Sequence, residues 1–122
     1  VYKYMEEIER LNDVKIEIDL DEESDYIATA QKIALYRISC EAVNNAIKHG
    51  KAKNVSIKLT LNAEMIEMLI KDDGTGFSRS DDNFVEGNGL RNMRSMAALL
   101  KGYLGIIDNA ENGVEVKLSL PR

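Results

Sequence analysis

Val55-Ser56-Ile57-Lys58-Leu59-Thr60-Leu61, then Asn62-Ala63-Glu64, then Met65-Ile66-Glu67-Met68-Leu69-Ile70-Lys71-Asp72 is the stretch that decides the fold. Val55, Ile57, Leu59 and Leu61 alternate with polar residues, as do Ile66, Met68 and Ile70. A period of two places successive side chains on opposite faces of a strand, so this stretch predicts a β-hairpin turning at Asn62-Ala63-Glu64. Asp72 is in phase with Ile66, Met68 and Ile70, which points its carboxylate toward the buried face at the strand end. Gly74, Gly76 and Phe77 follow at once.

Working outward, Leu90, Met93, Ala97 and Leu100 recur at helical spacing, with Gly102 placed to stop that helix. Leu104–Ile107, a loop ending in Asn112-Gly113, and Val114, Val116, Leu118 and Leu120 predict a second hairpin. Upstream, a long helix is expected over Thr29–His49, with Ile33, Tyr36, Cys40, Val43 and Ile47 as its buried stripe. Cys40 then reads as a small core residue rather than a reactive thiol. Val14, Ile16, Ile18 and Leu20 alternate as a strand, and Val1, Tyr4, Met5, Ile8 and Leu11 predict a helix over residues 1–12. Asp21–Asp25 reads as a solvated acidic turn, and residues 78–86 lack periodicity and form the candidate mobile loop. The sum is one domain over residues 1–122: a mixed sheet with helices on one face.

Size and charge narrow the function. The 122 residues suffice for one core, and a net charge of −5 excludes general nucleic-acid binding, because no basic stretch could neutralise a run of phosphates. A nucleotide ligand remains compatible with that charge, since a local site can outweigh the global sign. Cys40 is the single cysteine, so a disulfide framework or zinc cluster is ruled out and a reducing compartment is expected. No apolar run approaches the roughly 18 residues of a membrane helix. The first residue is Val1 rather than Met, which leads us to expect a piece of a longer protein.

Three blocks carry chemistry. In Glu41-Ala-Val-Asn44-Asn45-Ala-Ile-Lys48-His49, Glu41, Asn45 and Lys48 recur at helical steps on a face expected to point well away from the stripe above. Asn45 offers an amide oxygen suited to Mg²⁺. Glu41 could orient or deprotonate a water or hydroxyl near a γ-phosphate, and Lys48 could neutralise phosphate charge or simply be a solvated helix residue. His49, the one histidine, reads first as a helix cap beside Gly50, second as a phosphate contact, and least well as a phosphoacceptor. In Asp72-Asp-Gly74-Thr-Gly76-Phe77, a carboxylate at the buried end of a strand needs a donor. The exocyclic amine of adenine is one, whereas guanine would oppose it with an acceptor. Gly74 and Gly76 allow backbone to approach a flat base. In Gly87-Asn88-Gly89-Leu90, uncovered amides opening a helix can receive phosphate oxygens. The chain lacks the Gly-rich loop ending in Lys-Ser/Thr and the dinucleotide fingerprint, so the common nucleotide-binding architectures do not apply.

These blocks, in this order, resemble the N box and the two glycine boxes of the GHKL ATP-binding superfamily, and the resemblance spans nearly the whole chain. Gly89-Leu-Arg-Asn-Met-Arg94 and the short loop between the glycine boxes are most similar to the catalytic domains of two-component sensor histidine kinases paired with NarL-type response regulators. The resemblance implies the Bergerat fold, an α/β sandwich with a mainly antiparallel sheet, holding ATP between a helical layer and a lid over residues 78–88. It implies that Asp72 holds adenine, Asn45 holds Mg²⁺, Lys48 and His49 lie near the phosphates, and Glu41 occupies the position of the general base in hydrolytic relatives. It also implies a separate dimerisation domain bearing the phosphoacceptor histidine, a response regulator as partner, a cytoplasmic setting and a parent that is either anchored to a membrane or free of it. One departure is Gly113-Val114 where the family commonly has glycine–threonine, which removes a polar contact to the base pocket. The competing expectations are an anti-sigma-factor serine kinase of the same superfamily and an ATP-gated binding module without activity.

Overall fold

The structure, a computed structural model, describes residues 6, 7, 9, 10, 14–20, 27–48, 51–74, 88–108 and 113–122. Five strands, β1 (Lys15–Leu20), β2 (Asn54–Leu61), β3 (Met65–Asp72), β4 (Tyr103–Asp108) and β5 (Val114–Pro121), form one sheet in the order β1-β2-β3-β5-β4. Two helices, α1 (Thr29–Lys48) and α2 (Asn88–Leu99), pack against the sheet and each other. Of the expected first helix, Glu6, Glu7, Glu9 and Arg10 are helical; the acidic turn at 21–25 and the loop at 78–86 lie outside the described residues.

Both hairpins form as the alternation demands. β2 pairs antiparallel with β3, with Ile57 opposite Ile70 and Leu59 opposite Met68, and Asn62 Oδ1 closes the turn by accepting the N–H groups of Glu64 (3.0 Å) and Met65 (2.8 Å). β4 and β5 pair antiparallel, and β5 lies beside β3 with Met68 opposite Leu118 and Ile70 opposite Val116. β1 joins β2 in parallel, so α1 is the crossover between them. One sheet face is apolar and buried. The other carries charged and polar residues such as Lys71, which pairs with Glu115 across strands at 3.5 Å.

The buried stripe of α1 departs from expectation. Ala34, Leu35, Ile38, Ser39, Ala42, Val43 and Ala46 face the core, whereas Ile33 and Tyr36 are 51 % and 36 % exposed, and Cys40 and Ile47 sit at its margin. Bulk misled the reading: alanines and Ser39 let the helix approach the sheet closely, and a well-packed interior rewards fit over side-chain size. Ser39 satisfies its buried hydroxyl by donating to the Tyr36 carbonyl at 2.7 Å.

The end of α2 is also different in detail. Gly102 N–H donates to the Ala97 carbonyl (2.8 Å) and Lys101 N–H to that of Ala98 (3.0 Å), the bond pattern that closes a helix with one left-handed residue. That residue is Lys101, with φ of 57°, not Gly102. Gly102 is required for space instead: a Cβ there would lie 2.6 Å from the Ser119 carbonyl oxygen and against the Leu120 side chain.

Candidate nucleotide-binding site

The topology brings the three chemical blocks to one end of the molecule. β2 begins where β3 ends, since Val55 pairs with Asp72, and β5 begins there too, with Lys71 opposite Glu115. As the parallel crossover, α1 must finish at the end where β2 starts. α2 turns through Lys101 into β4, whose first residue pairs with Ser119 at the far end. Its own first turn, Asn88, Gly89 and Leu90, therefore returns to the Asp72 end.

Each layer carries a half-buried polar residue at that end. On the sheet, Ile66, Met68 and Ile70 are buried, and Asp72, next on the same face, is half-buried. Its Oδ1 accepts the Gly74 N–H at 2.9 Å, an Asx turn that bends the chain sharply after the strand. On the helix, Asn45 follows Ile38 by about two turns and so lies in line with it. Ile38 is fully buried while Asn45 is half-buried. Asn45 thus borders the core-facing side of α1 rather than standing well away from it, a correction that follows from the shifted stripe. Glu41 is half-buried one turn earlier, and Lys48 is exposed at the helix end. The expected roles of His49, Gly76 and Gly87 and the lid over 78–88 fall outside the described residues, apart from Asn88, which opens α2.

Two features escaped the sequence reading. Gly113 has φ of 94° and packs directly on Asp72; a Cβ there would sit on the Asp72 carbonyl oxygen and 3.1 Å from its Oδ1. Asp73 is the other. Its Oδ1 accepts the N–H groups of Lys53 (2.8 Å) and Asn54 (2.9 Å), its Oδ2 accepts the Asn54 Nδ2 (2.8 Å), and its own N–H donates to the Asn54 carbonyl (3.2 Å). The Asn54 side-chain amide and then the Asn54 backbone N–H hold the Asp73 carboxyl below the usual carboxylate range; desolvation opposes them, and the Lys53 backbone N–H adds a smaller lowering. Both contacts join residues far apart in sequence, and only the Asp-Asp pair and the Asn-Gly pair hinted at them.

An apolar groove of about 270 Å³ lies beneath the first half of α1, lined by residues including Ile18, Leu20, Leu35 and Tyr36. It is at the opposite end of the sheet from Asp72 and lacks converging acids or amides. Among the described residues no group of three or more His, Cys, Asp or Glu is placed to hold a metal by itself. No described helix is long and apolar enough to cross a membrane.

A family model described as histidine kinase-, DNA gyrase B-, and HSP90-like ATPase matches residues 30–122. The sensor histidine kinase MctS of Rhizobium johnstonii is 31 % identical over 111 residues, 89 % of this chain and 24 % of that protein. The signal transduction histidine-protein kinase/phosphatase DegS of Bacillus subtilis is 28 % identical over 124 residues, 98 % of this chain and 32 % of that protein. The chain thus spans about a quarter to a third of the length of these relatives. The histidine kinase domain of the Erythrobacter litoralis EL346 blue-light activated histidine kinase superposes with a TM-score of 0.78 at 19 % identity, covering 98 % of this chain and 58 % of that one, a likeness of fold.

Proposed function

Because the chain belongs to the family of histidine kinase-, DNA gyrase B- and HSP90-like ATPases, we propose that residues 1–122 form the ATP-binding catalytic domain of a sensor histidine kinase. The domain presents the γ-phosphate of Mg-ATP to a histidine on a separate dimerisation domain, for relay to a response regulator. The observation that carries this reading is the pair of half-buried polar groups, Asp72 on the core-facing side of the sheet and Asn45 on the core-facing side of α1, that the topology assigns to one end. The relatives named above are sensor histidine kinases, which favours histidine over serine as acceptor.

Each residue then has a task. Asp72 accepts the exocyclic amine of adenine, and the backbone at Gly74 and Gly76 lies along the base. Asn45 holds Mg²⁺, which supplies charge to offset the phosphate oxygens. Lys48 and His49 lie near the phosphates, and the amides at Gly87, Asn88, Gly89 and Leu90 receive phosphate oxygens as a helix start does. Glu41, one turn before Asn45, orients the attacking group. Catalysis is positioning plus charge neutralisation, with little covalent work for the protein. The domain works in the cytoplasm whether or not its parent is anchored to a membrane, and it needs its dimerisation domain for efficient transfer.

Calorimetric titration of Mg-ATP and Mg-GTP tests the reading. The wild type binds ATP in preference to GTP, and Asp72→Asn loses about 1.5–3 kcal/mol of ATP binding, roughly tenfold to a hundredfold. Absence of heat with ATP, or equal affinity for both nucleotides, refutes it.

A further inference from the structure

We infer that Asp73 is a positioning residue that fixes the spacing between the helix-borne and sheet-borne halves of the nucleotide site. The inference rests on the reading above that Asp72 and Asn45 grip the same ligand. A continuous set of bonds links them. Asn45 adjoins Ala46, whose carbonyl accepts the Ala52 N–H at 2.9 Å. Ala52 leads into Lys53 and Asn54, whose backbone N–H groups both donate to Asp73 Oδ1. Asp73 is bonded in sequence to Asp72. Lys53 is held from its other side as well, since its carbonyl accepts the Lys15 N–H at 2.8 Å.

Asp72 is separately fixed by the ladder between β2 and β3 and by its turn to Gly74. Loss of the Asp73 carboxylate therefore leaves the base-binding acid in place. What loosens is the connector from α1 to β2, and with it the distance between the acid and the metal-binding amide. Asn54 contributes through its side chain as well as its backbone, which makes the connector's first strand residue part of the same clamp. A ligand that spans both halves depends on that distance, whereas one that occupies only the base half does not.

The test compares Mg-ATP with adenosine on the full chain. In Asp73→Ala, affinity for Mg-ATP falls about tenfold, the equivalent of roughly 1.4 kcal/mol, while adenosine changes less than about twofold. Asp73→Asn, which keeps a carbonyl oxygen for the two backbone donors, recovers part of the loss. Asn62→Ala is the control: Asn62 Oδ1 also accepts two backbone N–H groups, but at the opposite end of the same hairpin. It lowers the melting temperature and leaves both affinities unchanged. Should Asp73→Ala not fold, Asn54→Ala carries the same comparison with a smaller loss for Mg-ATP. Unchanged Mg-ATP affinity, a proportional fall for adenosine, or an equal loss in Asn62→Ala overturns the inference and leaves the adenine site standing. Failure of the wild type to bind either ligand overturns the site and the inference together.

Discussion

Replacing Gly113 by alanine should damage the base site as well as the fold. Gly113 has φ of 94°, and an added Cβ would lie 2.8 Å from the Asp72 carbonyl carbon and 3.1 Å from Asp72 Oδ1, with the carbonyl oxygen nearer still. The backbone conformation alone costs about 1–2 kcal/mol for a residue with a Cβ. The Cβ also falls below the separation at which carbon atoms attract, so β5 must recede or Asp72 must be pushed out of line. Together these effects predict destabilisation of about 2–4 kcal/mol. Gly102→Ala is the matched comparison. Its Cβ would meet the Ser119 carbonyl oxygen at 2.6 Å and the Leu120 side chain, at the far end of the sheet. Chemical denaturation should show both variants destabilised, and titration under conditions where both remain folded should show ATP affinity reduced in Gly113→Ala only. Wild-type affinity in Gly113→Ala would refute the argument that the packing of Gly113 on Asp72 matters to nucleotide binding.

Three further outcomes follow from the same geometry. Asp73 has its carboxyl held below the usual range in the folded chain, so its contribution to stability is complete above the unfolded value of about 3.9 and is lost as pH falls through the lower folded value; in denaturation series from pH 6 downward, Asp73→Asn should lack that acid-side decline. Lys101 occupies the left-handed position after α2, so Lys101→Gly should stabilise the protein by about 0.5–1 kcal/mol, read as a raised melting temperature. Ile33 is exposed and Ala42 is buried on α1, so Ile33→Ala should stay within about 0.5 kcal/mol of wild type while Ala42→Leu costs about 1–3 kcal/mol by overpacking.

The strands were legible because alternation is a local signal: Val55 to Ile70 and Val114 to Leu120 announce both hairpins and which side chains face inward. The position of Asp72 followed from the same phase. α1 was legible in extent but not in rotation, because Ile33 and Tyr36 attract attention that Ala34, Ala42 and Ala46 do not, although small residues are what permit close helix–sheet contact. The place of Asn45 beside the core-facing side of α1 was hidden for the same reason, since it depends on the rotation of the stripe. The contact of Gly113 with Asp72 depends on β5 lying beside β3, an order that sequence alone does not give, and those of Asp73 with Lys53 and Asn54 depend on how its side chain turns just past the end of the hairpin. The phosphate end of the site rested on short glycine spacing and on the family resemblance, with little periodic signal to support either.

The parallel pairing of β1 with β2 has a kinetic consequence. Each hairpin can close from residues adjacent in the chain, but β1 must wait for all of α1 to be laid across the sheet, a closure that costs more entropy and slows folding. Asp72 thus belongs to the early-closing part of the protein and Asn45 to the crossover that completes it. A chain that has shed β1 keeps its hairpins but loses the strand that ties down the crossover. Bound ATP, by selecting the finished topology, should therefore suppress amide exchange along the whole of β1, including Leu20 at the end away from Lys53.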